Sequence, residues 1–305
     1  MTLQNRLKAG VCCPDCWLKA CFKGDIYTCL HQNLLLAAVA PAVFRFLAKT
    51  PTLALAFAAG LGLSLAAQAT QATQTAVLTV SAASSLTNAL KDVAPLFEAA
   101  HPGTRLQFNF AASGALLQQI DKGAPVDVFA SADQDTMDQA QARGLVRAAQ
   151  RRNFASNRLV VVVPSGSASA KAPRALLDLT EARFQRIAIG LPASVPVGRY
   201  TQGVLEAAGL WAAIKPKMIG AHNARQALDY VARGEVDAGF VYATDAALMP
   251  GKVTVALTVV TAKPIVYPVA LVAASANAAL AQRFVDFLGA ADAQAVLARH
   301  GFGKP

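Results

Sequence analysis

The first chemical signal is a cluster of hydroxyl residues that breaks a β-branched run. In Leu78-Thr-Val-Ser-Ala-Ala-Ser-Ser-Leu-Thr-Asn-Ala-Leu90 a strand-like alternation gives way to Ser84, Ser85 and Thr87 and then to helical spacing. Leu86, Leu90, Val93, Leu96 and Phe97 recur as on a helix that buries one face. Hydroxyls at the junction of a strand and a helix N-terminus have two uses. They can cap the helix by accepting from its first-turn N–H groups. They can also join those N–H groups in donating to an anion at the positive end of the helix dipole. The stretch by itself leaves both uses open.

The elements that must position these hydroxyls are written twice. The first half predicts strand 78–83, the loop holding Ser85, helix 86–100, strand 105–110, loop Ala111-Ala-Ser-Gly114, helix 115–122 and then Gly123-Ala-Pro-Val-Asp-Val-Phe-Ala-Ser-Ala-Asp133. The second predicts strand 186–190, loop Ser194-Val-Pro-Val-Gly198, helix 200–208, strand 217–220, loop Ala221-His-Asn-Ala224, helix 225–233 and then Gly234-Glu-Val-Asp-Ala-Gly-Phe-Val-Tyr-Ala-Thr-Asp245. Ser85 corresponds to Val197 and Ser113 to Ala224, separated within their halves by 28 and 27 positions. Strands alternating with helices at these lengths imply an α/β fold with two lobes, each a mainly parallel sheet flanked by helices. Ligands in such sheets sit at the carboxyl ends of strands beside helix N-termini. Lobes set face to face would bring four such loops to one cleft.

Leu159-Val-Val-Val-Val-Pro164 and Tyr267-Pro-Val-Ala-Leu-Val272 are continuous apolar runs of the kind found in strands buried on both faces. They are read as the two crossings between lobes. The expected division is residues 70–156 with 266–305 as lobe 1 and 157–265 as lobe 2. A C-terminal helix from Ala279 to Arg299 is expected to cover lobe 1 with Leu280, Phe284, Phe287, Leu288 and Val296.

The first 69 residues stand apart. Arg45 and Lys49 precede an apolar, alanine-rich run, and Ala67-Gln68-Ala69 is a small-x-small cleavage site, so residues 43–69 read as a secretory signal peptide and Thr70 as the first mature residue. The competing reading is an uncleaved anchor, against which stand the shortness of the run and its cleavage motif. Residues 1–42 form an extension that holds all five cysteines, Cys12, Cys13, Cys16, Cys21 and Cys29. Cys13-Pro-Asp-Cys16 with Cys21, Cys29 and His31 has the spacing of a zinc site. The alternative is translation beginning downstream, near Val43.

The chain has 28 basic and 18 acidic residues; six and two of these fall in the first 69, which leaves the remainder at +6. Its cations are scattered and not interleaved with aromatics, so nucleic acid is not an expected partner. No cysteine follows the apolar run, which excludes disulfides and argues against a lipid anchor.

Taken together, Ala83-Ser-Ser-Leu-Thr-Asn-Ala-Leu90, Phe110-Ala-Ala-Ser113, Gly123 to Asp133, Val195-Pro-Val-Gly-Arg-Tyr200, Gly239-Phe-Val-Tyr-Ala-Thr-Asp245 and His300-Gly-Phe302 resemble the periplasmic molybdate-binding proteins of ABC transporters. The resemblance runs from about Val77 to Phe302. It implies the two-lobed type II periplasmic-binding-protein fold, with the ligand in the cleft between lobes. It also implies an oxyanion held by the hydroxyls of Ser85 and Ser113, the backbone N–H groups of Val197 and Ala224, and the hydroxyl of Tyr242. The metal would be held only through its oxygens, with no direct metal ligands and no cofactor. Molybdate, and also tungstate, would be captured in the periplasm by a monomer and delivered to a membrane permease. Ala112-Ser113-Gly114 departs from the run of serines that relatives often carry.

Arg199 and Arg225 follow closely behind Val197 and Ala224 and are expected to turn outward on their helices, leaving neutral donors to hold the dianion. An enzyme in the same cleft has little to work with. Beyond residue 69 the chain holds only His101, His222 and His300, no cysteine and no paired carboxylates at the loop positions. The alternatives are a carrier of sulfate or another tetrahedral oxyanion, and a secreted interaction module with no small ligand.

Overall fold

The computed structural model describes residues 75–166 and 172–305. The expected signal peptide and the cysteine-bearing extension lie outside these residues. In chain order the main elements are β1 (Ala76–Ala83), α1 (Thr87–Ala100), β2 (Thr104–Ala111), α2 (Ser113–Asp121), β3 (Val128–Ala130), α3 (Gln134–Ala142) and β4 (Arg152–Asn157). There follow β5 (Leu159–Pro164), β6 (Ile187–Gly190), α4 (Pro196–Ala207), α5 (Trp211–Ile214), β7 (Met218–Ala221), α6 (Ala224–Ala232), β8 (Ala238–Tyr242), α7 (Ala243–Ala246) and β9 (Val253–Val259). The chain ends with β10 (Ile265–Leu271), α8 (Ala278–Phe287) and α9 (Ala291–Arg299).

Two five-stranded sheets result, ordered β2-β1-β3-β10-β4 and β7-β6-β8-β5-β9. Their topology is the same. In each, three parallel strands carry the helix crossovers, and the fourth strand runs antiparallel to both its neighbours. That fourth strand is β10 in one sheet and β5 in the other, the two apolar runs that the sequence pairs. The chain passes from the first sheet to the second at Arg158, between β4 and β5, and returns between β9 and β10. β5 is buried along Leu159–Val163, as its unbroken apolar sequence requires.

Helix starts differ from the expected ones in a way that matters for the loops. α4 begins at Pro196, four residues before the expected start, because proline at the first helical position has its φ preset and lacks an N–H that the helix could not use. α2 begins at Ser113. Val197 and Ser113 are therefore first-turn residues. On α1, Leu90, Val93 and Phe97 are buried as expected, whereas Leu96 is 40% exposed. The four-three spacing of the buried set leaves Leu96 one position off the face. The single expected C-terminal helix is two helices, broken at Gly289, where a glycine disfavours helix continuation. Phe284, Leu288 and Val296 are buried in lobe 1, and Leu280 and Phe287 are half-buried.

Candidate functional site

Ser85, Ser113, Val197, Ala224 and Tyr242 all line one chamber between the two sheets' loop ends. Every one of them is at least nine-tenths buried. Each stands at the carboxyl end of a parallel strand or on the helix turn that follows it: Ser85 after β1, Ser113 after β2, Val197 after β6, Ala224 after β7, and Tyr242 at the end of β8. The twofold repeat of the sequence thus becomes two facing walls.

The lobe 1 wall presents side-chain hydroxyls. Neither serine caps its helix: no side-chain cap bond forms at the start of the short 3-10 turn Ser84–Leu86 or of α1 and α2. Ser85 Oγ lies 3.0 Å from the hydroxyl of Tyr267. Ser113 Oγ accepts from the N–H of Ala132 at 3.0 Å, so its own proton remains for another acceptor.

The lobe 2 wall presents backbone. Val197 and Ala224 sit in the first turns of α4 and α6, where N–H groups have no intrahelical acceptor. A β-carbon on Gly198 would come within 1.9 Å of the carbonyl oxygen of Gly190, so only glycine lets α4 start this close to the end of β6. Asn223 caps α6, its Oδ1 accepting from Gln226 N–H at 3.0 Å. Tyr242 adds the one side-chain donor of this wall. Its hydroxyl is buried without a hydrogen-bond partner. Burial pushes the phenol well above its ordinary value, so it stays a neutral O–H.

The outward orientation expected for Arg199 and Arg225 is corrected by the structure. Arg199 reaches across the cleft to Asp133 at 2.6 Å and to the Thr136 hydroxyl at 2.6 Å, while also donating to the Pro192 carbonyl at 3.0 Å. Arg225 pairs with the buried Asp245 at 2.6 Å and donates to Asn88 of α1 at 2.9 Å. Helix position alone made both look solvated. In fact each meets the aspartate that ends one of the two repeated motifs, Asp133 and Asp245. Burial lifts the Asp245 carboxyl to about 6 even with Arg225 beside it. A direct backbone bond also spans the lobes, Gly114 N–H to Ser194 carbonyl at 3.0 Å. His222 is exposed and takes no part in the chamber.

Among the described residues, no charged side chain lines the chamber. Among the described residues no group of three or more His, Cys, Asp or Glu is placed to hold a metal ion. Such a chamber can stabilise negative charge through many neutral donors.

Residues 78–303 match the family described as bacterial extracellular solute-binding protein. The chain belongs to that family. This solute-binding protein is 36% identical to the molybdate-binding protein ModA of Escherichia coli (strain K12), over 80% of its own length and 95% of the relative's. It is 34% identical to the ModA of Haemophilus influenzae, over 80% and 94%. Among solved structures it is similar to the periplasmic molybdate-binding protein of Azotobacter vinelandii, with a TM-score of 0.66, 25% identity and coverage of 75% of this chain and 99% of that one. The two-lobed α/β fold expected from the sequence is the fold observed.

The sequence reading of this solute-binding protein missed Tyr267, Asn157 and the two arginine–aspartate pairs. A signal for the pairs was present. Both repeated motifs end in aspartate after small residues, and both arginines follow a loop of the second half. Tyr267 carried no such signal, because a tyrosine beginning an apolar strand reads as core.

Proposed function

We propose that this protein captures molybdate, and also tungstate, and delivers it to the membrane permease of an ABC transporter. The observation that carries the reading is the convergence of two serine hydroxyls, two first-turn N–H groups and one unpartnered tyrosine hydroxyl on a single uncharged chamber. A tetrahedral dianion offers acceptors in all directions and no donor, which is the complement of such a set. Entry and exit require the lobes to part, and the two chain crossings supply the hinge. The names borne by the relatives support molybdate over other oxyanions.

The reading includes export to the periplasm through cleavage after Ala69, and action as a binding protein, not an enzyme. Calorimetric titration of the chain from Thr70 onward with molybdate, tungstate and sulfate tests it. Molybdate and tungstate should bind more tightly than sulfate by several orders of magnitude, since walls set for the larger ion leave two or three donors unmatched around the smaller one, at about 1–3 kcal/mol each. Equal affinity for sulfate and molybdate in direct competition would put the general oxyanion carrier first.

A further inference from the structure

Tyr267 and Asn157 lie behind the chamber, beside the two chain crossings: Asn157 ends β4 just before Arg158, and Tyr267 lies near the start of β10. The amide of Asn157 is oriented by its neighbour, for the N–H of Arg158 donates to Oδ1 at 2.8 Å. Its Nδ2 therefore faces two oxygens, donating to Thr244 Oγ1 at 2.8 Å and to the Tyr267 hydroxyl at 3.2 Å. The other partner of the Tyr267 hydroxyl is Ser85 Oγ at 3.0 Å. Tyr267 is fully buried, with Phe302 packed edge-on at 5.5 Å and Phe154 at 6.5 Å, so its ring has no freedom to look elsewhere. Burial keeps its hydroxyl protonated.

The protons of this chain can be assigned. The phenol oxygen already accepts from Asn157. Were Ser85 also to donate to it, neither partner of this buried phenol would be left to accept its proton. With Tyr267 donating to Ser85, the phenol proton and both amide protons of Asn157 are satisfied. One proton is then left over, that of Ser85 itself, and Ser85 lines the chamber. We infer that Tyr267, oriented by Asn157, is a positioning residue that commits Ser85 to donate its proton toward the bound oxyanion. The inference rests on the proposed function and assigns a role to residues that do not touch the ion. Ser113 reaches the same state by a shorter route, through the Ala132 N–H.

The test is a double-mutant cycle read by molybdate calorimetry and thermal melting on wild type, Ser85→Ala, Tyr267→Phe, the double variant and Asn157→Ala. Tyr267→Phe should weaken molybdate binding about 3- to 10-fold while leaving the fold intact. In the Ser85→Ala background the same change should add less than about 2-fold, because Tyr267 acts only through Ser85. Asn157→Ala should weaken binding in the same sense, about 2- to 5-fold. A Tyr267→Phe effect that is absent, or that adds fully to Ser85→Ala, overturns the relay while leaving the molybdate reading in place. Wild-type protein that binds none of molybdate, tungstate or sulfate overturns both. Should Tyr267→Phe fail to fold, the Asn157→Ala cycle with Ser85→Ala decides by the same criterion.

Discussion

The two walls of the chamber reach the same chemistry by different means. On the proposed function, lobe 1 donates through the side chains of Ser85 and Ser113, whereas lobe 2 donates through the backbone of Val197 and Ala224, with Tyr242 as its one side chain. A side-chain donor is fixed by residue identity and by whatever holds its proton. A backbone donor is fixed by where the helix starts, so its determinants are residues whose own side chains donate nothing to the ion. On lobe 2 those determinants are Pro196, Gly198 and Asn223.

The strongest way to break this contrast lies at Gly198. Gly198→Ala sets a methyl group against the Gly190 carbonyl, 1.9 Å away, a backbone atom that cannot step aside. The expected result is a loss of about 3 kcal/mol or more in stability, seen in denaturant melts, with molybdate affinity lost alongside it. Next come Ser85→Ala and Ser113→Ala, each expected to weaken molybdate by about 1.5–3 kcal/mol, roughly 10- to 150-fold, with the fold retained. A serine variant that melts early yet binds normally would make that serine a structural residue and erase the asymmetry.

Both walls were legible in the amino-acid sequence. The repeat of strand, loop and helix set the loops of Ser85, Ser113, Val197 and Ala224 in correspondence, because period and turn chemistry are local properties, whereas Tyr242 came from the family resemblance. What escaped was long-range. The partners Tyr267 and Ser85 are 182 positions apart, and Arg199 and Asp133 are 66 apart. No local pattern reports which buried polar groups meet across a core. The misplacement of Leu96 and of the break at Gly289 is of another kind. There the apolar period was right and its phase, or its end, was wrong.

A smaller effect sharpens the comparison from the other side. Val197→Ala keeps the N–H and trims only a buried side chain, so it should cost stability of about 1–2 kcal/mol but change molybdate affinity by no more than about 2-fold. Affinity loss on the scale of the serine variants would show that the lobe 2 wall also reads its side chains.

The smallest expected signal comes from Asp245. Its folded carboxyl titrates near 6, above the ordinary 3.8, so between those values the folded chain holds a proton that the unfolded chain has released. Its contribution to stability is therefore greatest below about pH 4, declines as pH rises to about 6 and is flat beyond. Melting temperatures of wild type relative to Asp245→Asn should fall over that window. A difference independent of pH would mean that Arg225 keeps the carboxylate charged throughout.

Arg199 to Asp133, Arg225 to Asn88 and Gly114 to Ser194 are contacts from lobe to lobe that include no atom of the chamber's cargo. Their energy bears on how often the lobes meet, whatever lies between them. If the binding-competent arrangement is populated a fraction of the time, every apparent dissociation constant is multiplied by the reciprocal of that fraction, the same factor for molybdate, tungstate and sulfate alike. The chamber sets the ratios among those constants, and the latch sets their common scale. On the proposed function, selectivity and overall affinity are thus carried by separate residues, and parting the latch would weaken the hold on every ion by the same factor.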